Sequence, residues 1–198
     1  MTYPKFIIDK KKLKNNAKNV LGMCNKLGIE VVGVVKGING LEGVIKILID
    51  AGFKTLASSR LSQLRKIKEI SPGILTYGLR IPMLSEVDEL VSCADISLNS
   101  SVEVLRELNR AAFQQHKRHN VNIMIECGDL REGIFDEEEL LNTAIEVEKE
   151  LSNLHLLGIG TNLGCYGSIM PTPEKMLELI SKADKVSEAI GRKIEVVS

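Results

Sequence analysis

Ile29-Glu30-Val31-Val32-Gly33-Val34-Val35-Lys36-Gly37-Ile38-Asn39-Gly40 is the stretch on which the fold turns. Its β-branched run predicts a strand over 29–35 that stops at a lysine. A doubly wound sheet would place a glycine-rich phosphate loop, G-x-G-x-x-G, directly after its first strand. Val35-Lys36-Gly37-Ile38-Asn39-Gly40 lacks that fingerprint. Outward from this strand, apolar spacing predicts helices over 9–27, 41–51, 59–70, 85–93, 101–116, 137–151 and 173–190. Between them lie short apolar runs that open at Thr55, Ile74, Ile96, Val121, Leu154 and Lys193. Strands that alternate with helices this regularly predict a parallel sheet, apolar on both faces. The expected class is therefore α/β, a (β/α)8-type (TIM) barrel that is incomplete: a closed one needs eight strands and about 250 residues. Seven strands are counted. No linker or low-complexity segment divides the chain, so residues 1–198 are expected to form one domain.

The 198 residues carry 26 basic and 26 acidic side chains, which leaves no net charge to attract nucleic acid or an anionic membrane. Apolar runs reach only roughly five residues, against the ~20 needed to span a bilayer. Cys24, Cys93, Cys127 and Cys165 form no C-x-x-C pair, and predict reduced thiols rather than a disulfide frame or a zinc site. Met1-Thr2-Tyr3-Pro4-Lys5 does not read as a secretory signal, so a cytoplasmic protein without a metal is expected. Absence of tryptophan and a 4% aromatic content argue against base-stacking platforms.

In a barrel the reactive side chains stand at the C-terminal ends of strands. Lys36 is one such residue, and a lysine in an apolar mouth becomes available as a nucleophile or base; a solvated loop lysine is the other reading. Arg80 follows the third strand in Gly78-Leu79-Arg80-Ile81-Pro82. The fifth strand runs into Glu126-Cys127-Gly128-Asp129-Leu130-Arg131-Glu132-Gly133, a charged loop between glycines that suits a guanidinium facing a carboxylate or phosphate. The sixth ends in Gly158-Ile159-Gly160-Thr161-Asn162-Leu163-Gly164-Cys165-Tyr166-Gly167, where four glycines point either to a close ligand or to a tight turn. Ser58 follows the second strand.

These segments, together with Arg80-Ile81-Pro82-Met83-Leu84 and Ala94-Asp95-Ile96-Ser97-Leu98-Asn99-Ser100, resemble the alanine racemase superfamily of pyridoxal-phosphate enzymes, in its ornithine racemase-like branch. The resemblance covers the chain in order. It implies pyridoxal 5'-phosphate as cofactor, an amino acid as substrate and a homodimer, with Lys36 carrying the cofactor as a Schiff base and moving the Cα proton on one face. It implies that Arg131 contacts the cofactor's phenolic oxygen or the substrate carboxylate, and that Asn162 lies beside the pyridine ring. Arg80, Tyr166 and Ser58 are secondary candidates on the same ground.

Three departures bear on the assignment. The loop 37–43 lacks the tyrosine that alanine racemases turn to the phosphate, and Met124 stands where they often carry a lysine; both favour a substrate other than alanine. The third concerns the phosphate loop, the eighth strand and a β-domain with the second catalytic base, which in relatives follow the position of Ser198. The chain is thus expected to be the N-terminal barrel part of a racemase, inactive by itself. The alternative is a non-catalytic pyridoxal-phosphate homeostasis protein, which keeps the barrel and its lysine. His116, His119 and His155 are expected to lie away from strand ends, without a catalytic role.

Overall fold

The computed structural model describes residues 4–164 and 169–198. The chain divides into two compact units, Met1–Gly78 and Leu79–Ser198. In the first, α1 (Lys10–Asn25), β1 (Gly33–Val34), α2 (Glu42–Ala51), β2 (Thr55–Ser58), α3 (Leu61–Ile70) and β3 (Leu75–Gly78) alternate as the apolar spacing predicts. Helix α1 begins where Asp9 accepts the amides of Lys11 and Lys12 at 3.0 Å, a cap that contributes about 1 kcal/mol. The strands pair in parallel in the order β1-β2-β3, with Gly33 opposite Leu56 and Ala57 opposite Tyr77. Ile45, Leu56, Leu64 and Ile67 are fully buried and form the core between helices and strands. Strand β1 is far shorter than the 29–35 expected, because its ladder with β2 lasts only from Gly33 to Val34. Ile29 consequently stays exposed.

The second unit holds α4 (Val87–Cys93), β4 (Ile96–Asn99), α5 (Val102–Gln114), β5 (His119–Met124), α6 (Glu137–Lys149), β6 (Leu154–Gly160), α7 (Pro173–Ile190) and β7 (Val196–Val197). Helices α5, α6 and α7 start at Ser101, Asp136 and Thr172, each accepting an amide three residues on. The strands run parallel in the order β4-β5-β6-β7, over a core that includes Leu105, Leu108, Ile123, Leu140 and Leu156. Of the glycines after Leu157, Gly158 has a packing reason: a Cβ there would collide with the carbonyl of Val196 on β7. Strand β7 pairs only through Val196 and Val197, a short ladder like that of β1. Among the described residues no helix is long and apolar enough to cross a membrane.

His119 and His155 differ from their expected places: His155 is the second residue of β6, and β5 opens at His119, two residues earlier than predicted, at the strand end away from the βα loops. His119 is buried, and its Nε2 lies 2.8 Å from Ser97 Oγ. Burial in this setting pushes its pKa from 6.5 down to about 4, against the opposing pull of Asp95. The unfolded chain therefore takes up a proton between pH 6.5 and 4 that the folded chain refuses, so stability falls as pH drops through that window. Urea midpoints measured from pH 7 to pH 4 are expected to fall, with a His119 share that approaches about 3 kcal/mol. A His119→Gln variant should show a correspondingly flatter pH dependence; an equal slope would assign the loss to the carboxylates instead.

Candidate functional site

Lys36 stands one residue beyond the β1–β2 ladder, at the start of a 3-10 turn, Lys36–Ile38. Its side chain is exposed and makes no hydrogen bond or ion pair among the described residues. The turn beneath it is held by side chains. Ser58 Oγ donates to Gln63 Oε1 at 2.6 Å, and Gln63 Nε2 donates to Asn39 Oδ1 at 2.9 Å. Ser58 thus acts on the segment that bears Lys36 through two intermediaries, and its hydroxyl also accepts the amide of Arg60 at 3.2 Å. Gln63 and Asn39 were not singled out from the sequence. The signal existed for one of them: Gln63 occupies a core-face position of α3 beside Leu64 and Ile67, where an amide requires a partner.

In the second unit the loop after β5 is closed on itself. Ile125 and Ile134 form a parallel bridge, with Glu126 N donating to Ile134 O at 3.0 Å and Ile134 N to Met124 O at 2.8 Å. Gly133 makes the closure possible: its φ is 119°, and a Cβ there would sit 2.5 Å from the carbonyl carbon of Ile125. Inside the loop the Glu126 carboxylate accepts the amides of Gly128 at 2.5 Å and Arg131 at 3.2 Å, one on each oxygen. From α7, Lys182 Nζ donates to the carbonyl of Glu126 at 3.3 Å. Neighbouring Lys175 is held above the ordinary lysine range by its hydrogen bond to Glu178.

Two of the sequence-derived candidates meet through a residue that was not among them. Asn162, two residues past β6, donates from Nδ2 to Glu132 Oε1, and Arg131 Nη2 lies 3.4 Å from the same oxygen. The Glu132 side chain is only 15% exposed, so this carboxylate is largely removed from solvent. Arg80 is apart from this group and pairs with Glu86 on the turn before α4. Tyr166 lies outside the described residues. Lys36, in the first unit, offers an amine with no partner among the described residues, and Arg131 and Asn162, in the second, offer a guanidinium and an amide on one shared carboxylate. Asn99, at the end of β4, adds a fully buried Oδ1 with no hydrogen-bond partner among the described residues.

Comparison with known proteins bears on both units. The family described as "Alanine racemase, N-terminal domain" matches residues 8–198. Ornithine racemase from Acetoanaerobium sticklandii is 38% identical over 196 residues, covering 99% of this chain and 55% of its own. Lysine racemase from Thermotoga maritima is 34% identical over 198 residues, covering 100% and 54%. The chain thus spans about half the length of the curated relatives it matches. Among solved structures, an alanine racemase from Clostridium difficile 630 in complex with cycloserine superposes with a TM-score of 0.76 at 22% identity, over 95% of this chain and 51% of that one. That likeness carries the fold alone, the (β/α)8-type barrel, of which these seven parallel strands are a part.

The Glu126 carboxylate is the internal anchor of the Arg131 loop, which makes it directly testable. Glu126→Ala leaves two amides without their acceptor and is expected to cost about 2 kcal/mol in urea unfolding. Hydrogen exchange at Gly128 and Arg131 should accelerate more than at Ile123. Unchanged exchange at both amides would contradict the anchoring.

Proposed function

The chain belongs to the alanine racemase N-terminal domain family, and from that premise we propose that it supplies the lysine-bearing part of a pyridoxal-phosphate-dependent racemase acting on ornithine. Residues 1–198 are taken as one cofactor-binding domain, and the unbroken match over 8–198 supports that extent. The observation that carries the reading is the 38% identity to ornithine racemase over nearly the whole chain. The unpaired amine of Lys36 on the turn after β1 accords with it. A cytoplasmic homodimer belongs to the same reading.

The chemistry explains why this residue set is needed. A Cα proton is too weak an acid for any unaided side chain, and pyridoxal phosphate, when bound, supplies the conjugated ring that delocalises the resulting charge. Lys36 would hold the cofactor through its amine and, once freed by the incoming substrate amine, take or return the Cα proton on one face. Inversion demands a second proton carrier on the other face. The reading assigns that group to the portion of the relatives beyond the matched half. Arg131 would orient an anionic oxygen of cofactor or substrate through charge-assisted hydrogen bonds. Asn162 would face the ring as a neutral partner.

Two measurements test the reading. Borohydride treatment in the presence of pyridoxal phosphate should fix the cofactor to the peptide that contains Lys36, and Lys36→Ala should abolish the adduct. An adduct that survives in the variant would move the attachment to another lysine. In deuterated water, exchange at Cα should be faster for ornithine than for alanine; the reverse order would sink the ornithine assignment while leaving the cofactor assignment intact.

A further inference from the structure

We propose that Glu132 receives the side-chain ammonium of a diamino-acid substrate; the proposal rests on the reading of this chain as part of an ornithine-type racemase. A second amine on a substrate carries a positive charge at neutral pH, and a cation entering a partly desolvated site needs an anionic partner. The loop closed by Ile125 and Ile134 offers three acids. Glu126 is engaged on both oxygens by the amides of Gly128 and Arg131, and only 8% of it is exposed. Asp129 is 1% exposed and has interactions of its own. Glu132 is different. Its Oε1 takes both Asn162 Nδ2 and the Arg131 guanidinium, and its Oε2 accepts no hydrogen bond among the described residues.

One oxygen is therefore fixed to the two residues assigned to the cofactor, and the other, without a partner among the described residues, keeps its lone pairs for a ligand. That division gives the carboxylate a set orientation before substrate arrives, which lowers the entropy lost on binding. The charge balance points the same way. Arg131 alone would repel a second cation, whereas the Arg131–Glu132 pair is neutral and leaves the free oxygen as the local acceptor. Glu86, the acid nearest Arg80, is already paired to that arginine. An amino acid of equal chain length without the distal amine gains nothing from Glu132.

The experiment titrates the protein, loaded with pyridoxal phosphate, with ornithine and with norvaline, and reads the visible absorbance of the bound cofactor. The native protein should favour ornithine by at least about tenfold in apparent Kd. Glu132→Gln should bring the ratio of the two constants close to one, and Glu132→Asp should leave it in between. If both ligands weaken alike in Glu132→Gln and the ratio is kept, Glu132 serves only to position Arg131 and Asn162, and the proposal is overturned. A second measurement needs no variant: Nδ-acetylornithine, which has no side-chain charge, should bind the native protein no better than norvaline. Tight binding of the acetylated ligand would equally overturn the proposal. Borohydride-fixed cofactor on Lys36 with no spectral response to any amino acid would instead defeat the racemase reading on which it rests.

Discussion

Two parallel strands cannot be joined by a tight turn, because the chain must travel back the length of the sheet before the second begins. Every pairing described within the two units is parallel, and from this the rest of the architecture follows. Each return is made by a helix, whose apolar stripe then covers one face of the strands and gives buried residues such as Leu64 and Leu105. All strands of a unit end on the same side, so the loops after them gather there. Lys36, Ser58, Arg131 and Asn162 are all residues of strand ends or of the loops that follow, while His119 opens its strand at the opposite side. Within each unit, parallel pairing thus separates the edge where strands end from the edge where they begin before any side chain is chosen.

What the edge residues require of one another is electrostatic. The Glu126 side chain is spent on folding its own loop, and through the Arg131 amide it sets where the next cation begins. Glu132 then neutralises that cation and ties it to Asn162 from another strand end. Ion pairs elsewhere in the chain do less. Arg106–Glu146 and Lys185–Glu137 join helix surfaces through solvent-facing cations, where such pairs add little to stability. Arg192 is better used: it holds Glu148 below the ordinary carboxylate range and also donates to the carbonyl of Leu156, linking α6, β6 and the segment before β7.

Much of this was legible in the sequence, and the reason lies in how local each signal is. Helix limits were readable because caps are short-range chemistry: Asp136 and Thr172 sit where the spacing of apolar residues begins, and Gly191 where it ends. Strand limits were less so. The run 29–35 is rich in β-branched residues, yet only Gly33 and Val34 are in a ladder, since a strand lasts as long as its neighbour supplies partners. The same holds for β7. Lys36, Arg131 and Asn162 were singled out by motif resemblance, whereas Glu132 was not. Its contact with Asn162 spans thirty residues and depends on the fold of a loop in which Leu130 takes a left-handed φ of 53°.

The brevity of β1 has a consequence for the lysine that follows it. A strand held by two ladder positions is by itself a weak platform for the side chain that follows it. Continuity comes from beyond the ladder: Val35 N donates to Ala57 O at 2.9 Å, and Gly40 N returns to Val35 O at 3.0 Å, so the turn is closed around Lys36. The chain Ser58–Gln63–Asn39 then ties that turn to the end of β2 and to the core face of α3. Polar side chains here replace ladder bonds as the source of rigidity. They fix the backbone of the lysine while its amine has no partner among the described residues. The role proposed for this amine would need that combination of a fixed base and a free end. The position of Lys36 thus depends on Gln63, a residue that makes no contact with any reacting atom in this reading.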